Sequence, residues 1–211
     1  MRGRFITLEG LEGCGKSTQV PLLKAWLEER GLAVTTTREP GGTPLAERIR
    51  ELVLGATDER VPVECELLLM FAARATHLAN LIRPALDQGA WVICDRFTDA
   101  SFAYQGAGRG IPEAHIRALQ SLVHGDLQPD LTLLIDVPVA VGLERARLRR
   151  ATASRDRFEM EREEFFERVR ASFLARARAE SGRIKVIDGT QSIAGVRAAV
   201  RQHVLQLLGS E

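Results

Sequence analysis

Nine residues near the start of the chain, GLEGCGKST, comprise Gly10, Leu11, Glu12, Gly13, Cys14, Gly15, Lys16, Ser17 and Thr18. They carry the spacing G-x-x-x-x-G-K-[ST]. Glycines let a backbone curl until successive N–H groups point inward at phosphate oxygens, and a helix starting at the lysine adds the positive end of its dipole. Lys16 would reach the β- and γ-phosphates, and the Ser17 hydroxyl would bind Mg²⁺. The apolar run Phe5–Leu8 precedes the loop and a helical pattern follows it, the context this chemistry needs. The plain alternative is a glycine-rich turn that merely ends a strand. Pattern and context favour a nucleoside triphosphate, though the loop alone does not separate GTPases, ATPases and small-molecule kinases. The chain has no Asn-Lys-x-Asp guanine reader and is short for a large ATPase, so a kinase for a small acceptor is expected.

Two further stretches suit phosphate chemistry. Trp91–Cys94 is followed by Asp95 and Arg96. A carboxylate at the carboxyl end of a central parallel strand faces the ligand crevice. Asp95 could hold Mg²⁺ through water, or could simply cap a helix starting near Thr98. Arg96 would face the transferring group or the acceptor phosphate. The stretch TREPGGT sets Arg38 at a strand end before a tight Pro/Gly loop, with Thr43 as a candidate helix cap. Six arginines crowd residues 145–157, among them Arg149, Arg150 and Arg155. They read as a lid that would exclude water and bring cations to the phosphates, or as a solvated helix face.

Elements must hold these residues together. Short β-branched or apolar runs at Phe5–Leu8, Ala33–Thr37, Trp91–Cys94, Leu131–Ile135 and Ile184–Ile187 predict strands. Helical spacing predicts helices over 16–30, 44–54, 63–86, 112–123, 139–150, 159–180 and 192–208. Alternation of the two implies a parallel sheet covered on both faces. Gly106–Gly110 reads as a functional loop. Nothing divides the chain, so one domain is expected over 1–211, with the lid at about 145–157.

Bulk properties exclude several classes. Apolar residues make up 45% of 211, charged residues 27%, and the net charge is +1. Non-specific binding to nucleic acid or an anionic membrane has no compositional support. No apolar run reaches the roughly 18 residues of a membrane span and no signal peptide is evident, so a cytoplasmic protein is expected. The three cysteines (Cys14, Cys65, Cys94) lack metal-ligand spacing and read as reduced thiols. The four histidines are scattered and read as surface or helix residues.

GLEGCGKST, TREPGGT, LLLMFAARATHL, DRFTDASFAYQGAGRG and the later DRFE resemble, in order, the bacterial thymidylate kinase (dTMP kinase) family. The resemblance implies phosphorylation of dTMP to dTDP by ATP with Mg²⁺, a three-layer α/β/α fold with strand order 2-3-1-4-5, and a homodimer. It gives Phe71 as the plate stacking on thymine, Arg74 as donor to a thymine carbonyl, and Ser101 and Gln105 near the base or sugar. Tyr104 would pack under the deoxyribose, Arg38, Pro40 and Arg96 would form the acceptor-phosphate site, and Glu12 would accept from the 3′-OH. It also implies that an enzyme with a small residue in the loop, as Cys14 is, takes its catalytic arginine from the lid: Arg149, Arg150 or Arg155. A cis peptide is expected in the 38–40 loop. Lys16 and the helix start would make the Cys14 thiol reactive until ATP covers it. The runner-up is a kinase for another (deoxy)nucleoside monophosphate or for a deoxynucleoside; the latter needs a base, for which Glu12 or Glu39 could serve. A catalytically silent nucleotide-binding regulator is the alternative from another class.

Overall fold

A computed structural model of the chain describes residues 2–55, 59–149 and 161–209, with Arg149 described in its backbone alone. Arg150 and Arg155, the DRFE stretch and the Arg149 side chain therefore lie outside the described residues. Five parallel strands form one sheet in the order β2-β3-β1-β4-β5. They are β1 (Phe5–Glu9), β2 (Val34–Arg38), β3 (Trp91–Asp95), β4 (Leu131–Asp136) and β5 (Ile184–Asp188). The central three strands are almost wholly buried, as a sheet covered on both faces requires.

Side chains alternate across the sheet. Ile6 and Leu8 point to one face, where α1 (Lys16–Glu28) and α9 (Ile193–Leu208) bring Leu23, Trp26, Leu27, Val196, Val200 and Val204. Phe5 points to the other face, against Leu78, Ile82 and Leu86. Those residues belong to one long helical run: α3 (Val63–His77), a π-helical turn (Leu78–Ile82) and α4 (Arg83–Asp87). One continuous helix was expected over 63–86. Pro84 accounts for the difference, because it has no N–H and crowds the preceding carbonyls, and a wider turn just before it absorbs both effects. The run Val63–Asp87 reaches a mean hydropathy of 1.2, but half of that window is buried inside the fold. Glu66, Arg74 and His77 are buried along it, the pattern of a core helix.

The segment after β3 corrects a second expectation. Thr98–Ser101 forms the short helix α5, and Phe102–Gly108 continues it as a π-helix. Of the loop expected over Gly106–Gly110, only Arg109 and Gly110 lie outside the helix. Gly106 and Gly108 serve close packing: a Cβ on Gly108 would lie 2.5 Å from the Phe165 ring, and one on Gly106 3.2 Å from Ile116. Phe165 belongs to α8 (Glu163–Ala179) and Ile116 to α6 (Glu113–His124). The remaining helices are α2 (Pro44–Leu54), capped by Thr43 as expected, and α7 (Val139–Arg149). Arg145, counted above with the lid, lies within α7 and donates to Gly189 O at 2.9 Å.

Candidate active site

All five strands end in a charged residue: Glu9, Arg38, Asp95, Asp136 and Asp188. Parallel order puts these ends on one edge of the sheet, where ligands bind in open α/β folds. The phosphate loop leaves β1 at this edge. Gly10 takes φ 134° and Gly13 φ 75°, a left-handed backbone that glycine adopts without strain. Neither has room for a side chain, since a Cβ would meet Ile135 O at 2.3 Å or Gly142 O at 2.0 Å. The loop is thus pressed between β4 and the start of α7. Lys16 folds over it and donates to Gly10 O and Leu11 O, both at 3.0 Å. Cys14 is 3% exposed and its Sγ lies 3.5 Å from Lys16 Nζ. The folded loop already shields this thiol, so the expected fast alkylation loses its basis.

A cavity of about 220 Å³ opens from this loop. It is lined by Gly13, Gly15, Lys16 and Ser17 of the phosphate loop, by Arg38, Pro40, Arg96, Tyr104 and Gln105, and by Glu12 and Asp95. Within it Glu12 forms the hub. Arg96 Nη2 donates to it at 2.8 Å, and the Tyr104 hydroxyl lies 2.8 Å and 3.0 Å from its two oxygens. Burial alone would raise the Glu12 carboxyl, but Arg96, Lys16 and Tyr104 outweigh it and hold it below the usual carboxylate range. The Arg96 guanidinium sits 4.9 Å from the Tyr104 ring centroid. Arg96 is the one non-glycine with positive φ among the described residues, at 70°. That conformation costs energy and recurs at ligand sites. Arg96 Nη1 and Asp95 Oδ1 beside it are buried without hydrogen-bond partners. Such groups cost free energy unless a ligand pairs with them. An anion for one and a cation for the other would satisfy both.

The acceptor-side loop holds the Glu39–Pro40 cis peptide expected there. Arg38 donates to Glu47 Oε2 at 2.8 Å, and Gly42 N donates to Glu47 Oε1 at 2.8 Å. Arg50, absent from the sequence reading, lines the cavity and donates to Pro40 O at 2.8 Å. Phe71, Arg74 and Ser101 are brought together, but behind the wall that Met70 and Ala100 form. They are 2%, 1% and 0% exposed. The Arg74 guanidinium lies 4.7 Å from the Phe71 ring centroid and donates to Ser101 Oγ at 3.1 Å. Gln105 donates to the buried Glu66 at 3.1 Å.

Two groups escaped the sequence reading. Glu9 is fully buried, with Oε1 accepting from Phe97 N at 2.7 Å. Burial first, then the Asp99 charge, push its carboxyl up to about 8. Its signal was present, because it ends a central strand as Asp95 does. His77 and His124 lie on helices, as expected, but both are 0% exposed, a burial the sequence pattern does not show. His124 stacks near Phe97 and Phe71, and burial, then Arg74, hold its ring near a pKa of about 3, so it is neutral.

Comparison with known proteins adds the following. The family profile described as thymidylate kinase matches residues 8–200. A thymidylate kinase of Pseudomonas syringae pv. syringae is 55% identical over 208 residues, covering 99% of this chain and 98% of that protein. One from Chromohalobacter salexigens is 56% identical over 209 residues, covering 99% and 98%. The crystal structure of thymidylate kinase from Ehrlichia chaffeensis superposes with a TM-score of 0.77 at 36% identity, covering 97% of this chain and 99% of that one.

Proposed function

The chain belongs to the thymidylate kinase family, and from that premise we propose how it transfers the γ-phosphoryl group of ATP to dTMP, giving ADP and dTDP. One observation carries the reading: a single cavity joins the phosphate loop to the Arg38–Arg96–Tyr104–Gln105 wall. Donor and acceptor phosphates can therefore meet inside it.

A phosphomonoester's second pKa is about 6, so the acceptor oxygen is already largely anionic at neutral pH and no base is needed. The obstacle is charge. ATP brings about four negative charges and dTMP nearly two, and they must be held in line. The loop N–H groups and Lys16 receive the donor phosphates. To do so, Lys16 exchanges its two loop carbonyls for phosphate oxygens. Arg96, through Nη1, and Arg38 receive the acceptor phosphate. Glu12 keeps Arg96 and Tyr104 fixed in the meantime and offers its carboxylate to the sugar 3′-OH. Mg²⁺ fits the donor set, since Asp95 Oδ1 is buried and unpaired and the Ser17 hydroxyl lines the same cavity. When bound, it would neutralise charge on the transferring oxygens. Phe71, Arg74 and Ser101 supply the base side once Met70 and Ala100 yield to it. Arg149, Arg150 and Arg155 stay candidates for a lid cation.

The same geometry weighs against a deoxynucleoside kinase. Its two candidate bases are engaged, Glu12 by Arg96 and Tyr104, Glu39 by Arg74 and His77. Burial would raise Glu39, but Arg74 and His77 hold it below the usual range. Neither carboxylate is suited to take a proton from a neutral hydroxyl. Exposed Leu52, Leu68 and Leu122 lie on the neighbouring helices α2, α3 and α6 and support the homodimer. A cytoplasmic setting accords with free cysteines and a nucleotide substrate.

ADP release measured with ATP, Mg²⁺ and a panel of acceptors tests the reading. dTMP should be fastest, dUMP, dCMP and dGMP slower, and thymidine inactive. Turnover of thymidine, or none with any monophosphate, would remove it.

A further inference from the structure

A line of polar contacts runs into the fold through Glu39, which itself lines the cavity. Thr37 Oγ1 lies 2.7 Å from His77 Nε2, and His77 Nδ1 lies 3.1 Å from Glu39 Oε1. Glu39 Oε2 accepts from Arg74 Nε at 2.6 Å. Arg74 in turn donates to Ser101 Oγ at 3.1 Å and Phe97 O at 3.2 Å. The side chains of Arg74 and His77 are 0% exposed and that of Glu39 2%. The line begins where β2 runs into the loop holding Arg38 and Pro40. It ends at Arg74 and Ser101, which the reading above puts on the base side. One buried connection thus spans the phosphate half and the base half of the acceptor site.

His77 is its middle member. An ionised carboxylate only accepts, so His77 Nδ1 carries a proton and donates to Glu39. Its Nε2 faces the Thr37 hydroxyl on the other side. The loop also rests on the imidazole: a Cβ on Gly42 would lie 2.4 Å from Nε2. An apolar residue at this position would leave Glu39 Oε1 buried and unpaired, and the cost of an unsatisfied buried charge would fall on the Glu39–Arg74 geometry. The ring does not line the cavity. It can act on substrate only through its neighbours.

We propose that His77 is a positioning residue for the acceptor: through Glu39 it fixes the guanidinium of Arg74, and through Thr37 and Gly42 it fixes the acceptor-side loop that holds Arg38 and Pro40. This rests on dTMP being the acceptor. A residue that only filled space would not depend on which ring nitrogen is replaced, and that difference is measurable.

The amide nitrogen of asparagine can stand in for Nδ1, and the amide of glutamine for Nε2. KM for dTMP and for ATP is measured separately in His77→Ala, His77→Asn and His77→Gln. The dTMP KM should rise on the order of tenfold in the Ala and Gln variants and stay within about threefold in Asn, with kcat and the ATP KM within about twofold throughout. Glutamine rescuing better than asparagine, an unchanged dTMP KM in the Ala variant, or both KM values rising together overturns the proposal. Melting curves identify a variant that fails to fold. In that event the near-isosteric Thr37→Val carries the test, with a dTMP KM raised about threefold; no change there also overturns it. A parent enzyme inactive on dTMP would instead refute the acceptor reading, before any variant is compared.

Discussion

Glu9 closes β1 directly beneath the phosphate loop, and its carboxyl, pushed up to about 8, holds a proton at neutral pH. Burial is the main cause and Asp99 adds to it. In the unfolded chain the same carboxyl ionises near 4.5. Between these values the unfolded state binds fewer protons than the folded one, so stability falls as pH rises and levels off above about 8. Glu9→Gln removes that dependence. In the ligand-free protein the variant should gain melting temperature relative to the parent as pH goes from 5 to 8, by on the order of a few kcal/mol of stability at the upper end. A difference that does not vary with pH would mean that Glu9 is ionised when folded. Arg96 tests the other partner of this edge. Arg96→Lys keeps the charge but loses the second nitrogen that reaches past Glu12, so kcat/KM for dTMP should fall about 100-fold with the ATP KM nearly unchanged. An equal loss for both substrates would move Arg96 out of the acceptor site. Residue identities in this region were legible where type and spacing coincide, as in Lys16, Asp95 and Arg96. Glu39, Arg50 and His77 were not, because their roles depend on partners 35 to 40 positions away, or on a loop that folds back onto the cavity.

Elements were legible to the extent that apolar pattern defines them. Every expected strand stopped at its last uncharged residue, whereas each observed strand continues by one charged residue. That residue stays in the ladder, as the pairing of Leu8 with Asp95 and of Arg38 with Asp95 shows, and from there meets the ligand edge. Hydropathy could not detect it because burial is not what holds it. The π-helix at Phe102–Gly108 was missed for the opposite reason. Its glycines look like loop punctuation, but they are thin places where the helix packs closely, Gly108 on Phe165 and Val169 and Gly106 on Ile116. Gly108→Ala tests this. Alanine favours a helix by about 1 kcal/mol, but overpacking costs about 1–3 kcal/mol, and with Phe165 only 2.5 Å from the new methyl the clash should win. The variant should melt lower by several degrees and weaken dTMP binding, because Tyr104 and Gln105 ride on the same helix. Gly182→Ala, with nothing within 4 Å, is the control and should change little. Equal melting temperatures for the two would mean that the helix shifts to accommodate the methyl.

The molecule as a whole separates its tasks. Charged residues gather at the carboxyl edge of the sheet, while α2, α3 and α6 carry exposed leucines: Leu52 at 66%, Leu68 at 56% and Leu122 at 80% exposure. Single exposed leucines are ordinary, and the homodimer proposed above would bury these three. Two of these helices also build the acceptor site, since α2 carries Glu47 and Arg50 and α3 carries Phe71, Arg74 and His77. Pairing through this face would brace the outer side of the helices whose inner side holds substrate. Leu68→Glu with Leu122→Glu places two carboxylates in that contact. The variant should elute as a single 23.3 kDa chain while the parent elutes as two. Its dTMP KM should rise several-fold, about 1 kcal/mol of lost support, with the ATP KM less affected because the phosphate loop lies on β1 and α1. A variant still dimeric would place the interface elsewhere. A monomer with unaltered dTMP KM would show that α2 and α3 hold the acceptor site without help from a second copy.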